Sequence, residues 1–323
     1  MKRIIIRVAA AVAAAFCAPA WTQGFPARPV TIVVPYAPGG TADILGRIVS
    51  IRMAEALGQQ VVIEYRPGAG GNIGAESVAK RSAPEGYTIL LTATSLASSP
   101  SLMRKMPFDP VKDLAPVAGL ATIPNIAVAS NNLPVKSIAE LVSMARTQPG
   151  KLTFASSGPG TSNHLAAELF KVVAGVDMLH VPYKSAGQAL PDLISGRVDL
   201  MFDLMPSMLP QVKQGKVRGL AVTSAKRSPA IPELQTVQEA GVPGYEFTAW
   251  HGFFAPAGTP ADVLRRLNGA INKALENSEV RAQIVERGAE PMSGGPEDFG
   301  RYFRNEVEKW ARVVKDSKLP PLD

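Results

Sequence analysis

Along the first hundred residues, short β-branched runs alternate with longer stretches whose apolar positions recur every three or four residues. The runs fall at 30–34, 61–65 and 88–92, and the helical stretches at 42–57 and 73–81. Short runs of strand formers separated by amphipathic helical segments predict an α/β fold with a largely parallel sheet. In the first helix Ile44, Ile48 and Ile51 supply the recurring apolar positions, Thr41 is placed to cap the start, and Gly58 stands just past the end. Another helix is predicted from Ser137, which pairs with Glu140 as a capping box, to just before Pro149-Gly150. The same alternation resumes at Leu152.

A near repeat about 120 residues apart stands out against this pattern. Ala37-Pro38-Gly39-Gly40-Thr41-Ala42-Asp43 follows the first strand, and Ser157-Gly158-Pro159-Gly160-Thr161-Ser162-Asn163 follows the strand at 152–155. Each is a small-residue turn feeding a helix start, where unpaired N–H groups and the positive end of the backbone dipole meet an approaching anion. One such turn alone is ordinarily a tight connection that needs glycine. Two of them, one per domain across a cleft, would clamp a carboxylate. Ser185-Ala186-Gly187 before a helix to Ser195, and the polar strand end at Thr92, Thr94 and Ser95, add hydroxyls and amides of the same kind. All lie past the carboxyl ends of strands, where ligands of open α/β sheets bind.

The N-terminus changes the setting. Lys2, Arg3 and Arg7 precede an apolar run from Val8 to Phe16, and Ala18-Pro19-Ala20 offers small residues two apart, the layout of a cleavable secretory signal over 1–20. Cys17, the single cysteine, follows a bulky Phe16, which argues against lipidation. Cleavage after Ala20 leaves no cysteine, so disulfides and thiolate chemistry are excluded from the mature chain. Losing the three basic residues lowers the formal charge from +7 to +4, a mild excess without the dense basic cluster of a nucleic-acid binder. The 323 residues, less the signal, suit two domains.

Six motifs in order, Phe25-Pro26-Ala27-Arg28-Pro29-Val30, Pro35-Tyr36-Ala37-Pro38-Gly39-Gly40-Thr41, Arg66-Pro67-Gly68-Ala69-Gly70-Gly71-Asn72, His180-Val181-Pro182-Tyr183-Lys184, Asp199-Leu200-Met201-Phe202-Asp203 and Ala255-Pro256-Ala257-Gly258-Thr259-Pro260, resemble the substrate-binding proteins of tripartite tricarboxylate transporters, the Bug or TctC family. The resemblance implies a two-domain α/β fold of the type II periplasmic binding-protein kind, with the ligand cleft between the domains. The first domain would comprise 21–123 and 248–323, and the second 124–247, with C-terminal helices at 260–277 and 297–315 packing back on the first. It also implies a monomeric periplasmic carrier that takes a small organic carboxylate and delivers it to membrane permease subunits. Carried over by motif, the expected ligand-binding residues are Tyr36, Pro38, Gly39, Gly40, Thr41, Asp43, Thr94, Ser95, Ser157, Gly158, Gly160, Thr161, Ser162, His164 and Asp203. Asp43 reads equally as a first-turn acid that stabilises its helix, and Asp203 as a buried cap. Two positions depart from the family pattern. Tyr65 stands where asparagine is common, and His251 stands where the family often has an aromatic or other uncharged residue. His251 reads either as a surface or hinge-side histidine, or as a crevice residue that favours an acidic ligand when protonated.

Enzymatic readings fare worse. Gly68, Gly70 and Gly74 give only a weak dinucleotide-like spacing without a placed ribose-binding acid. His164, His180 and His251 lack partners at a metal-ligand spacing, and no nucleophile-elbow motif occurs. Ser157 with His164 would need an acid and an oxyanion hole to which no motif points. Neither cofactor nor metal is expected. An exported sensor acting on a membrane partner is the alternative to a carrier.

Overall fold

The computed structural model describes residues 24–316, so the predicted signal lies outside the described residues. The first strands and helices follow the sequence pattern closely: β1 (Val30–Val34), α1 (Thr41–Leu57), β2 (Val61–Tyr65), α2 (Asn72–Arg81), β3 (Thr88–Ala93) and a short α3 (Ser95–Leu102). A long strand, β4 (Leu114–Ala129), then leads to α4 (Ile138–Thr147), β5 (Thr153–Ser156), α5 (Ser162–Ala174), β6 (Leu179–Pro182), α6 (Ala186–Ser195), β7 (Leu200–Leu204), α7 (Met205–Lys213) and β8 (Arg218–Val222). The chain returns through β9 (Thr248–Pro256) and closes with α8 (Ala261–Glu276), α9 (Ser278–Glu286), β10 (Glu290–Pro291) and α10 (Pro296–Asp316).

Two lobes carry the same strand order. In the first it is β2-β1-β3-β9-β4 and in the second β6-β5-β7-β4-β8, with the fourth strand of each running antiparallel to the other four. The 120-residue repeat is therefore structural: β1 and β5 hold equivalent places, and a glycine-rich turn leaves each. Strand β4 belongs to both lobes, pairing with β9 from Leu114 to Pro124 and with β7 from Asn125 onward. Thr223 ties this crossing to the return strand. Its buried hydroxyl accepts from the Asn125 N–H at 2.7 Å and donates to the Phe247 carbonyl at 2.7 Å.

Ser137 accepts from the Glu140 N–H at 3.2 Å, as the capping box predicts. The isoleucines of α1 do not form its core face. Leu45, Val49, Met53 and Leu57 are buried, whereas Ile51 is 64% exposed. The helix carries apolar residues around most of its circumference, so periodicity alone does not select the buried stripe. Thr41 is not the cap either: Gly40 occupies the N-cap position without a side-chain bond, and the Thr41 hydroxyl is spent elsewhere.

The C-terminal helices return to the first lobe, α8 against α1 and α10 against α3 and β4. On β9, Trp250 and Phe254 pack on Phe299 and Phe303 of α10, and a Cβ at Gly252 would come within 2.1 Å of Phe299. Side chains alternate along a strand, so His251 must point from the opposite face. That face looks into the cleft.

Candidate functional site

Between the lobes lies a cavity of about 60 Å³, enclosed by the strand ends and the helix starts that follow them. Four helices open onto it. Gly40 and Thr41 begin α1, Thr161 and Ser162 begin α5, Ser185 and Ala186 begin α6, and Leu204 precedes α7. Each helix start carries roughly half a positive charge and unpaired N–H groups, so their convergence makes the cavity electropositive. Among the described residues, the ionisable lining groups are Lys184, Asp203 and His251, besides the Tyr36 phenol.

Of the expected residues, the structure brings Tyr36, Gly40, Thr41, Ser95, Ser157, Thr161, Ser162 and Asp203 onto this cavity. Tyr36 is fixed by a 2.8 Å hydrogen bond with Ser95, and burial raises its pKa despite that bond. Asp203 accepts from the Ser207 hydroxyl at 2.7 Å and from the Asn163 side-chain amide. Burial pushes its carboxyl up to about 6, against the lowering effect of those bonds.

The other expected residues hold the turns in place. Pro38 and Gly39 are exposed. Asp43 accepts from the Gly39 N–H at 2.8 Å, from Arg47 at 2.5 Å and from the Tyr65 hydroxyl at 2.6 Å. Burial works against ionisation there, but these donors together hold the carboxyl below its ordinary range. Asp43 is outside the cavity lining, and Tyr65, the departure from the family pattern, is one of its anchors. Thr94 accepts from the Trp250 N–H at 3.0 Å and so joins β9 to the end of β3. Gly158 lines a wider neighbouring cleft of about 790 Å³ that shares Tyr36, Ala37, Ser157 and Lys184 with the inner cavity.

The second turn rests on neutral rings. His164 Nδ1 accepts from the Gly160 N–H at 3.2 Å, and its ring lies 4.3 Å from that of His180, which stacks on Phe154 at 4.9 Å. His180 Nε2 is 2.6 Å from the Ser156 hydroxyl, which in turn accepts from the Gly158 N–H. Burial, with His180 and Lys171 nearby, pushes His164 down to about 3, and burial with Lys171 pushes His180 down to about 4. Both are uncharged at neutral pH.

The lobes touch across the cleft. Thr41 and Ser207 are 3.3 Å apart, and the Ser98 hydroxyl donates to the Gly160 carbonyl at 3.3 Å. Gly70 packs so closely on Pro159 that a Cβ would stand 2.7 Å from its carbonyl oxygen. This is a closed conformation.

Asn163, Lys184 and Ser207, none of them an expected ligand-binding residue, also line the cavity, as does His251, for which a crevice position is one of the two sequence readings. Ser207 stands one helical turn after Asp203, Asn163 ends the second glycine-rich turn and Lys184 ends the motif that starts at His180, so spacing could have found them. His251 is 2% exposed, not on the surface, and burial pushes it down to about 3, so it faces the cavity as a neutral ring. Among the described residues no group of three His, Cys, Asp or Glu is placed to hold a metal.

A family model described as the tripartite tricarboxylate transporter family receptor matches residues 45–319. The solved structure of R. palustris Rpa4515 with adipate is 40% identical, covers 92% of this chain and 100% of its own, and superposes with a TM-score of 0.89. The periplasmic binding protein BugD is 34% identical over 92% of this chain and 99% of its own, with a TM-score of 0.88. MatC from Rhodopseudomonas palustris with bound malate is 34% identical over 90% of this chain and 100% of its own, with a TM-score of 0.85. The fold is thus the two-domain α/β fold of periplasmic binding proteins with the cleft between the domains, as the motifs implied. A receptor model spanning most of the sequence, and relatives matching nine-tenths of it in both sequence and fold, establish that the chain belongs to the tripartite tricarboxylate transporter receptor family.

Proposed function

We propose that the protein is a periplasmic receptor that closes on a small organic carboxylate and presents it to the membrane subunits of a tripartite tricarboxylate-type transporter. The observation that carries this reading is the convergence of four helix N-termini and a ring of hydroxyls on one cavity between two lobes. Adipate and malate, held by two relatives, are both dicarboxylates, and helix starts recognise that chemistry. Hydrogen bonds to a charged group are worth about 1.5–3 kcal/mol each, so four or five donors, less the cost of ordering, support roughly micromolar affinity.

In this reading the ligand is met by Tyr36, Gly40, Thr41, Ser95, Ser157, Thr161, Ser162 and Asp203, while Pro38, Gly39, Asp43, Thr94, Gly158, Gly160 and His164 shape the turns. Residues 21–123 with 248–323 form one domain and 124–247 the other, hinged where β4 changes partners. The leader 1–20 is removed on export and the mature chain acts as a monomer. A thermal-shift screen of that chain against mono-, di- and tricarboxylates, each paired with its neutral amide, tests the reading. An acid at 100 times its dissociation constant adds about 2.7 kcal/mol, and its amide should add nothing. Stabilisation by amides equally well, or by no acid, would remove the carboxylate clamp. Uptake by cells lacking the gene tests delivery, since intact uptake would point to sensing.

A further inference from the structure

His251 is buried, yet its Nδ1 has no hydrogen-bond partner among the described residues. It lines the inner cavity from β9, and strand alternation directs it away from the aromatic packing of its neighbours Trp250 and Gly252. Buried polar side-chain atoms are nearly always paired, and an exception at a binding cavity marks a place where something else supplies the partner. The cavity is small. A water needs about 10–15 Å³ of such space, so about 60 Å³ holds roughly four to six waters, and a ligand that fills it touches every wall. A ligand that fills this space displaces water from Nδ1, so it must supply that hydrogen bond itself.

We propose that His251 is a specificity-determining residue that selects carboxylic acids bearing a hydroxyl or amino group next to the carboxylate held by the helix starts. The inference rests on the carboxylate reading above and narrows it. The neutral imidazole offers one donor and one acceptor, which suits a hydroxyl or an amino group, whereas a methylene in the same place leaves Nδ1 buried and unpaired. Asp203, an acceptor on the same cavity, works in the same direction by favouring a ligand group that can donate.

Matched acids that differ by one hydroxyl isolate this contact: succinate and malate, glutarate and 2-hydroxyglutarate, adipate and 2-hydroxyadipate. In calorimetric titrations of the mature protein, the hydroxylated member of the best-binding pair should bind about ten- to a hundred-fold more tightly. His251→Leu, of comparable bulk, should lose that discrimination and bind the two members of a pair about equally. His251→Asn, which keeps a polar atom near the Nδ1 position, should retain part of it, and it serves in place of the leucine variant if the latter does not fold. Equal binding of the paired acids, or discrimination that survives in His251→Leu, would overturn the role of His251 while leaving the carboxylate clamp standing. If no mono-, di- or tricarboxylate stabilises the folded protein in the thermal-shift screen, the clamp itself fails and this inference fails with it.

Discussion

The two glycine-rich turns occupy equivalent places in their lobes and are held by different physics. The first is fastened by a carboxylate: Asp43 gathers the Gly39 N–H, the Tyr65 hydroxyl and Arg47, whose side chain is largely in water. The second is fastened by uncharged groups: His164 and His180 stack beside Phe154, the His164 ring accepts from the Gly160 N–H, and the Ser156 hydroxyl beside His180 accepts from the Gly158 N–H. A turn beside a helix N-terminus can thus be shaped by an ion or by a neutral acceptor. The two solutions differ in what breaks them.

The largest expected difference is with acid. In the unfolded chain the histidines bind protons below about pH 6.5, but in the folded protein His164 and His251 do so only near 3 and His180 near 4. The unfolded state therefore holds more protons across that window, and stability falls as pH falls through it. At pH 5 the loss is about 2 kcal/mol for each of His164 and His251, and less for the half-buried His180. Asp203 opposes this, because its raised pKa of about 6 gives stability that is full below 3.8 and fades as pH rises through 6. With three groups against one, denaturant midpoints should drop between pH 7 and 5. His164→Gln should flatten that slope and Asp43→Asn should leave it intact, because the Asp43 carboxyl stays ionised throughout. Equal slopes in His164→Gln and wild type would show that the second turn does not keep its ring neutral.

Next in size is His164→Ala at neutral pH. It empties a buried ring position and strands the Gly160 N–H, at a cost of about 3 kcal/mol by urea unfolding. Binding should weaken as well, because Gly160 sits at φ +76° and the neighbouring Thr161 starts the helix that meets the cavity. For the same reason a valine at Gly160 is strained whatever the space. Gly40, at φ −84°, accepts a side chain without strain, since a Cβ there would meet only the Ala37 carbonyl, 3.8 Å away. Gly40→Val is then the cleaner probe of crowding at the cavity: a smaller fall in unfolding midpoint than Gly160→Val, set by the weaker N-cap, with weakened ligand binding.

What the sequence discloses about these turns follows from range. The strands Val30–Val34 and Val61–Tyr65 are legible to the residue because β-branching and length are local signals. The turns themselves are legible because glycine and hydroxyl residues before a helix have few other uses. The buried face of α1 is not, since Ile51 and Val49 are equally apolar and only the sheet beneath decides between them. Thr41 reads as a cap until the second lobe is present to offer Ser207. His251 is the clearest case. Its direction depends on the register of β9 between β3 and β4, pairings that span more than a hundred residues.

The smallest expected effect tests the first turn at its least conventional member. Tyr65→Phe removes one of the donors to Asp43 and leaves Arg47 and the Gly39 N–H in place. The loss of a hydroxyl bonded to a carboxylate is about 1 kcal/mol, because Asp43, though buried, keeps two donors. The carboxyl should become easier to protonate, since a bond that favours its charged form is gone. Its contribution to stability, present above the ordinary aspartate range and lost as pH falls through its folded pKa, would then fade at a higher pH than in wild type. The measurement is the pH at which Tyr65→Phe and wild type converge in unfolding free energy. Convergence below about pH 4, with a constant gap above it, ties Tyr65 to Asp43 through the charge. A gap independent of pH would mean that the hydroxyl contributes through packing alone, and the contrast between an ionic first turn and a neutral second one would rest on Arg47 and the Gly39 amide.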